Sequence, residues 1–214
     1  FAPYQMGTAG AFRITQWGFT KFYRLFNPRQ LLTLVKLVKL IREVGKRVEE
    51  EKLREGWSKE EAFRCAEAVI TYLALALMKF IDYDTIVNLW NPGSWSWNKV
   101  AHSLSMRGIA MQWNWCEISP YIDLPLSYSG TLKNTINGLA YLVSAVSGSS
   151  CSLTEYLMEN ASGEDSVVEV MLDDARSLSR VEGGRFDLIV TDPPYYDDVP
   201  YAELSDFYYV WLKR

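Results

Sequence analysis

The residues best placed to do chemistry stand together near the end of the chain, at Asp192-Pro193-Pro194-Tyr195. Asp192 offers a carboxylate. Pro193 keeps a carbonyl acceptor while lacking an N–H. Two such acceptors side by side suit an aromatic amine, a poor nucleophile because its lone pair is delocalised into the ring. Oxygens that hold its two N–H groups draw the lone pair back onto nitrogen and stabilise the positive charge that develops as nitrogen attacks. The two prolines stiffen the corner, so that the acceptors are held in place beforehand. Tyr195 offers a flat face on which an extruded base can stack. At ordinary residue usage this tetrapeptide arises by chance on the order of once in a thousand chains of this length, so its spacing favours function over an ordinary turn. Tyr196 and Asp197 extend the loop, with Asp198 beyond them. They are candidates for shaping a base pocket and read equally well as exposed loop residues.

The elements around this loop must present it. Phe186 to Thr191 is an apolar run of the kind buried on both faces of a parallel sheet. Ser166 to Leu172 is a second, β-branched strand candidate. After the loop, Leu204, Phe207, Tyr208 and Trp211 recur at helical spacing. Strand, loop and helix in that order is the layout that places ligands at the carboxyl ends of strands in open α/β sheets. Upstream the pattern is helical. Asn27, Pro28 and Gln30 form an N-terminal signature, and the helix is expected to run to about Glu55. Ser58 and Glu61 open a second helix reaching about Phe80, so Gly56-Trp57 turns a helical hairpin. Trp97 to Met106 is expected as a short helix, Ile109 to Trp115 as a strand and Thr131 to Ser147 as a helix. Trp90, Trp95, Trp97, Trp113 and Trp115 are read as core packing ahead of a stacking surface. The chain thus divides into a mainly helical region, residues 1–130, and a catalytic part, residues 131–214.

The run Phe186-Asp187-Leu188-Ile189-Val190-Thr191-Asp192-Pro193-Pro194-Tyr195-Tyr196-Asp197 resembles motif IV of the amino-methylating DNA methyltransferases. The stretch from Tyr201 to Arg214, together with Phe26-Asn27-Pro28-Arg29-Gln30-Leu31-Leu32 and Tyr72-Leu73-Ala74-Leu75-Ala76, is similar to the adenine-specific methylases of the DUF1156 type. The resemblance implies S-adenosylmethionine as methyl donor, DNA as partner and substrate, and an α/β fold with a partial Rossmann-like sheet into which the helical region is inserted. It matches Asp192, Pro193, Pro194 and Tyr195 to the catalytic loop, and Tyr195, Tyr196 and Asp197 to the substrate side. Asp174 corresponds to an acidic residue that faces the cofactor adenine, and Asn27 and Pro28 to a segment near its methionine part. A helix cap or a plain loop carboxylate accounts for these three equally well. The family's glycine-rich cofactor turn has no counterpart: Gly7-Thr8-Ala9-Gly10 comes nearest, and no apolar strand precedes it. The chain is therefore read as a C-terminal fragment whose cofactor turn lies upstream in the same protein.

Charge and composition bound the alternatives. The net charge of −4 is uneven, for residues 1–56 hold 11 Lys and Arg against 5 Asp and Glu. Lys36, Lys39, Arg42, Lys46 and Arg47 form either a solvated helix face or a phosphate-contacting one. No run reaches the roughly 20 apolar residues that span a bilayer. The three cysteines are far apart and the single histidine, His102, has no companion ligand, so no metal site is expected. With no secretory signal, reduced thiols and a cytoplasmic location are expected. Two other readings stand beside DNA methylation: amino-methylation of RNA or of protein glutamine, and a non-catalytic helical module that binds protein or nucleic acid.

Overall fold

The computed structural model describes residues 14, 15, 17–91, 99–104, 108, 109, 115–147, 171–181, 186–195 and 199–213. Among these, helices α1 (Pro28–Arg54), α2 (Lys59–Tyr83), α3 (Tyr128–Ser147) and α4 (Tyr201–Leu212) carry most of the structure. A 3-10 turn (Phe22–Leu25) precedes α1, and strands β1 (Leu89–Asn91) and β2 (Lys99–Ala101) pair antiparallel, with Trp90 opposite Val100. The chain divides into two units, residues 1–136 with 195–214, and residues 137–194.

In the first unit, α1 starts and stops where its local chemistry dictates. The Asn27 side chain accepts a hydrogen bond from the Gln30 backbone N–H (2.9 Å), and the Gln30 side chain accepts one from the Asn27 N–H (2.8 Å). Two of the donors that a helix start leaves without partners are thereby satisfied. At the other end Gly56 turns left-handed, with φ of 93°. Its N–H donates to the Leu53 carbonyl and that of Trp57 to the Lys52 carbonyl, which closes the helix. The Lys52 ammonium sits 4.9 Å from the Trp57 ring centre. Ser58 then opens α2 reciprocally with Glu61.

Leu34, Leu37 and Ile41 lie a turn apart on α1 and are buried together with Leu77, Phe80 and Ile81 of α2 in one core. Gly45 continues this buried face, and a Cβ there would come within 2.6 Å of the Ile70 methyl. The small residue lets the two helices approach closely. A buried polar cluster ties the following segment on. Gln30 donates to the Asp84 carboxylate (3.3 Å), and Asp84 also accepts from the Ile118 N–H (3.2 Å). Asn88 donates to the carbonyls of Tyr83 and Cys116 and accepts from the Cys116 N–H.

The expected α/β, Rossmann-like sheet is overturned. Among the described residues the only sheet is the two-stranded β1–β2 pair. Residues 186–191 form no strand and pair with none among the described residues, and Leu188, Ile189 and Val190 are each at least three-quarters exposed. A strand exists through hydrogen bonds to its neighbours. Apolar content marks a segment able to pair and supplies no partner. Met171 and Leu172, the end of the other expected strand, are exposed without strand structure, and residues 166–170 lie outside the described set. The expected helix at 97–106 is replaced over 99–101 by β2. Of the strand expected at 109–115, Ile109 and Trp115 are not in a strand, and the residues between them are not described. Trp90 and Trp115 are exposed rather than packed in the core, while Trp95, Trp97 and Trp113 lie outside the described residues.

Candidate functional site

Asp192, Pro193 and Pro194 are exposed. Neither the Asp192 carboxylate nor the Pro193 carbonyl makes a hydrogen bond or ion pair among the described residues. Tyr195, 58% exposed, is restrained through its backbone: its N–H donates to the Tyr201 hydroxyl (3.2 Å). Tyr201 is the first residue of α4. Tyr196 and Asp197 lie outside the described residues.

α4 is anchored by the face its spacing predicts. Phe207 and Trp211 are buried. The Phe207 ring stacks on Phe26 at 6.1 Å between centres, and Trp211 meets Phe26 edge-on at 5.3 Å. Phe26 immediately precedes Asn27 and Pro28. The helix that follows the loop is therefore seated on the start of α1, which joins two sequence-predicted segments within one unit.

Asn27, however, is fully engaged. Its oxygen caps α1, and its amide nitrogen donates to Glu117 (3.2 Å), which also pairs with Arg29 (2.8 Å). Pro28 borders an open cavity of about 510 Å³ lined chiefly by aromatic rings, among them Trp17, Phe19, Tyr23 and Phe26. Asp174, in the second unit, sits in an exposed turn, where both of its carboxylate oxygens accept from the Arg176 guanidinium (2.7–3.2 Å). That pairing holds its pKa below the usual carboxylate value. The neighbouring Asp173 is lowered too, by hydrogen bonds from the Arg180 N–H and the Ser179 hydroxyl.

One cluster escaped the sequence reading. A cavity of about 520 Å³ is lined by Met78, Lys79, Asp82, Tyr83, His102 and Tyr208. The Asp82 carboxylate meets His102 Nδ1 at 3.2 Å and accepts from the Leu104 N–H. Burial raises the pKa of Asp82 despite the neighbouring imidazole, and burial together with the Asp82 charge raises those of Tyr83 and Tyr208. The pair latches the end of β2 onto α2. Asp82 and His102 are far apart in sequence and share no spacing that would announce them. Among the described residues no group of three metal-ligating side chains occurs, and no helix is long and apolar enough to cross a membrane.

No family model, curated protein or solved structure matches this chain.

Proposed function

We propose that this chain carries the acceptor side of an S-adenosylmethionine-dependent methyl transfer to the exocyclic amino group of adenine in DNA. The observation that carries this reading is the state of the Asp192–Tyr195 loop. Its two acceptor oxygens are exposed and, among the described residues, make no hydrogen bond or ion pair. Asp192 and the Pro193 carbonyl hold the two N–H groups of the amine, return the lone pair to nitrogen and face the charge that develops there. Asp192 then takes the proton released. Tyr195 stacks on the extruded base.

The described residues do not by themselves fit the methyl donor. Asn27 and Asp174 have their polar atoms engaged by Glu117, by the start of α1 and by Arg176, and the cavity at Pro28 offers aromatic faces with Arg24 and no carboxylate to hold a ribose. We assign the protein to the cytoplasm, where Cys65 and Cys116 persist as thiols.

The test is transfer of labelled methyl from S-adenosylmethionine to duplex DNA by the intact protein. Asp192→Ala is expected to lower the rate about 100- to 1000-fold, the scale for losing one positioned electrostatic group. An undiminished rate would overturn the role of the loop. Methyl incorporation into tRNA or a glutamine peptide, with none into DNA, would replace the substrate.

A further inference from the structure

Five of the basic residues of α1 form one exposed ridge. Lys36, Lys39, Arg42, Lys46 and Arg47 are all exposed. At 100° per residue they fall within an arc of about 140°, and at 1.5 Å per residue they extend about 16 Å along the helix. The centre of this arc lies nearly opposite the face on which Leu34, Leu37, Ile41 and Gly45 are buried. None of the five makes an ion pair among the described residues, whereas Arg29, Lys52, Arg54, Arg64 and Lys133 all do. Glu43, the only carboxylate between positions 36 and 47, is exposed within the same arc and leaves the ridge a net of four positive charges. In a chain of net charge −4, such a local excess costs self-repulsion and favours a polyanion.

We propose that this ridge docks on the phosphate backbone of duplex DNA without reading its sequence. A duplex presents one negative charge per roughly 1.7 Å of axis, so a 16 Å ridge spans about ten phosphates, of which half face the protein. α1 contains no aromatic residue, hence no platform on which single-stranded bases could stack. Its one amide side chain, Gln30, is buried in the polar cluster, so no amide on the ridge pairs with an adenine edge. An anionic membrane surface is a poorer occupant. An interfacial helix must sink a continuous apolar face among the lipids; the continuous apolar face of α1 is committed to α2, and Leu32, Val35 and Leu40, exposed on its outer side, are interspersed with the ridge cations. The choice of DNA among polyanions rests on the proposed function; the ridge itself rests on charge and geometry.

The experiment measures binding of the full chain to a duplex of arbitrary sequence as salt is raised from 50 to 200 mM. Five phosphate contacts predict an affinity loss of about 500-fold over that range. The triple variant Lys36→Gln, Lys39→Gln, Lys46→Gln is expected to lose only about 12-fold, the value for two remaining contacts. The same three positions changed to Arg should restore the parent slope. Arg64→Gln with Lys133→Gln, which removes two cations elsewhere, should leave it unchanged. Circular dichroism establishes that each variant is folded. An unaltered slope in the triple variant would overturn the assignment, as would stronger binding to single-stranded RNA or to phosphatidylserine vesicles than to the duplex. The readout needs no methyl transfer, so an inactive Asp192 loop with an intact salt dependence would reject the enzymatic reading and keep the ridge.

Discussion

Asp84 closes α2 with its carboxylate inside the protein, 1% exposed. Burial raises its pKa from 3.8 to about 6, against the opposing hydrogen bonds from the Ile118 N–H and Gln30. In the unfolded chain the same group titrates near 3.8. Between these two values the folded protein keeps a proton that the unfolded chain has released. Stability is therefore greatest below the lower value, falls as pH rises through the window and levels off above about 6. A shift of roughly two units corresponds to about 3 kcal/mol. Asp84→Asn keeps an acceptor oxygen for Ile118 and Gln30 and removes the titration. Urea unfolding of parent and variant from about pH 4 to pH 8 isolates the effect. The variant should gain on the parent by about 2.5 kcal/mol over this range, since the unfolded chain is already partly ionised at about pH 4. The cost of placing the new amide NH2 shifts the variant's stability equally at every pH. Asp82, also raised by burial, titrates in both proteins and cancels in the difference. A difference that does not change with pH would refute the claim that this carboxyl group is desolvated.

Two further substitutions test the packing. A Cβ on Gly130 would overlap the Leu124 carbonyl and lie 2.9 Å from the Pro125 Cα, both backbone atoms with little freedom to give way. Gly130→Ala should therefore lower the melting temperature, since overpacking of about 1–3 kcal/mol outweighs a helix-propensity gain of about 1 kcal/mol; an unchanged or higher value would contradict the close approach. Phe207→Ala removes the fully buried ring that meets Phe22 and Phe26 and should cost about 3–5 kcal/mol in urea unfolding; a loss under about 1 kcal/mol would mean that α4 is not seated on the start of α1.

What the sequence disclosed follows the range of the forces involved. The ends of α1 and α2 were legible because Asn27 with Gln30, Gly56 with Leu53, and Ser58 with Glu61 act within four residues of one another. The buried face of α4 was legible for the same reason, since Phe207 and Trp211 lie one helical turn apart. Gln30 was half legible: its oxygen closes the capping box, while its nitrogen reaches Asp84, 54 positions away. No local pattern announces that second bond, the Asp82–His102 latch or the pairing of Trp90 with Val100. The expected sheet failed at this boundary. Val, Ile and Leu in succession report that a segment resists water, and the same composition serves a buried strand or an exposed ribbon. The candidate site divides along the same line. The acceptor reading of Asp192–Tyr195 was open to the sequence because it rests on four consecutive residues, and the fold adds that these residues are exposed. A methyl-donor site draws on groups from several elements, and the three residues offered for it, Asn27, Pro28 and Asp174, were chosen by resemblance. In the fold Asn27 and Asp174 serve their own turn and helix start. A carboxylate engaged by a guanidinium two residues away is a weaker acceptor for a cofactor than an unengaged one.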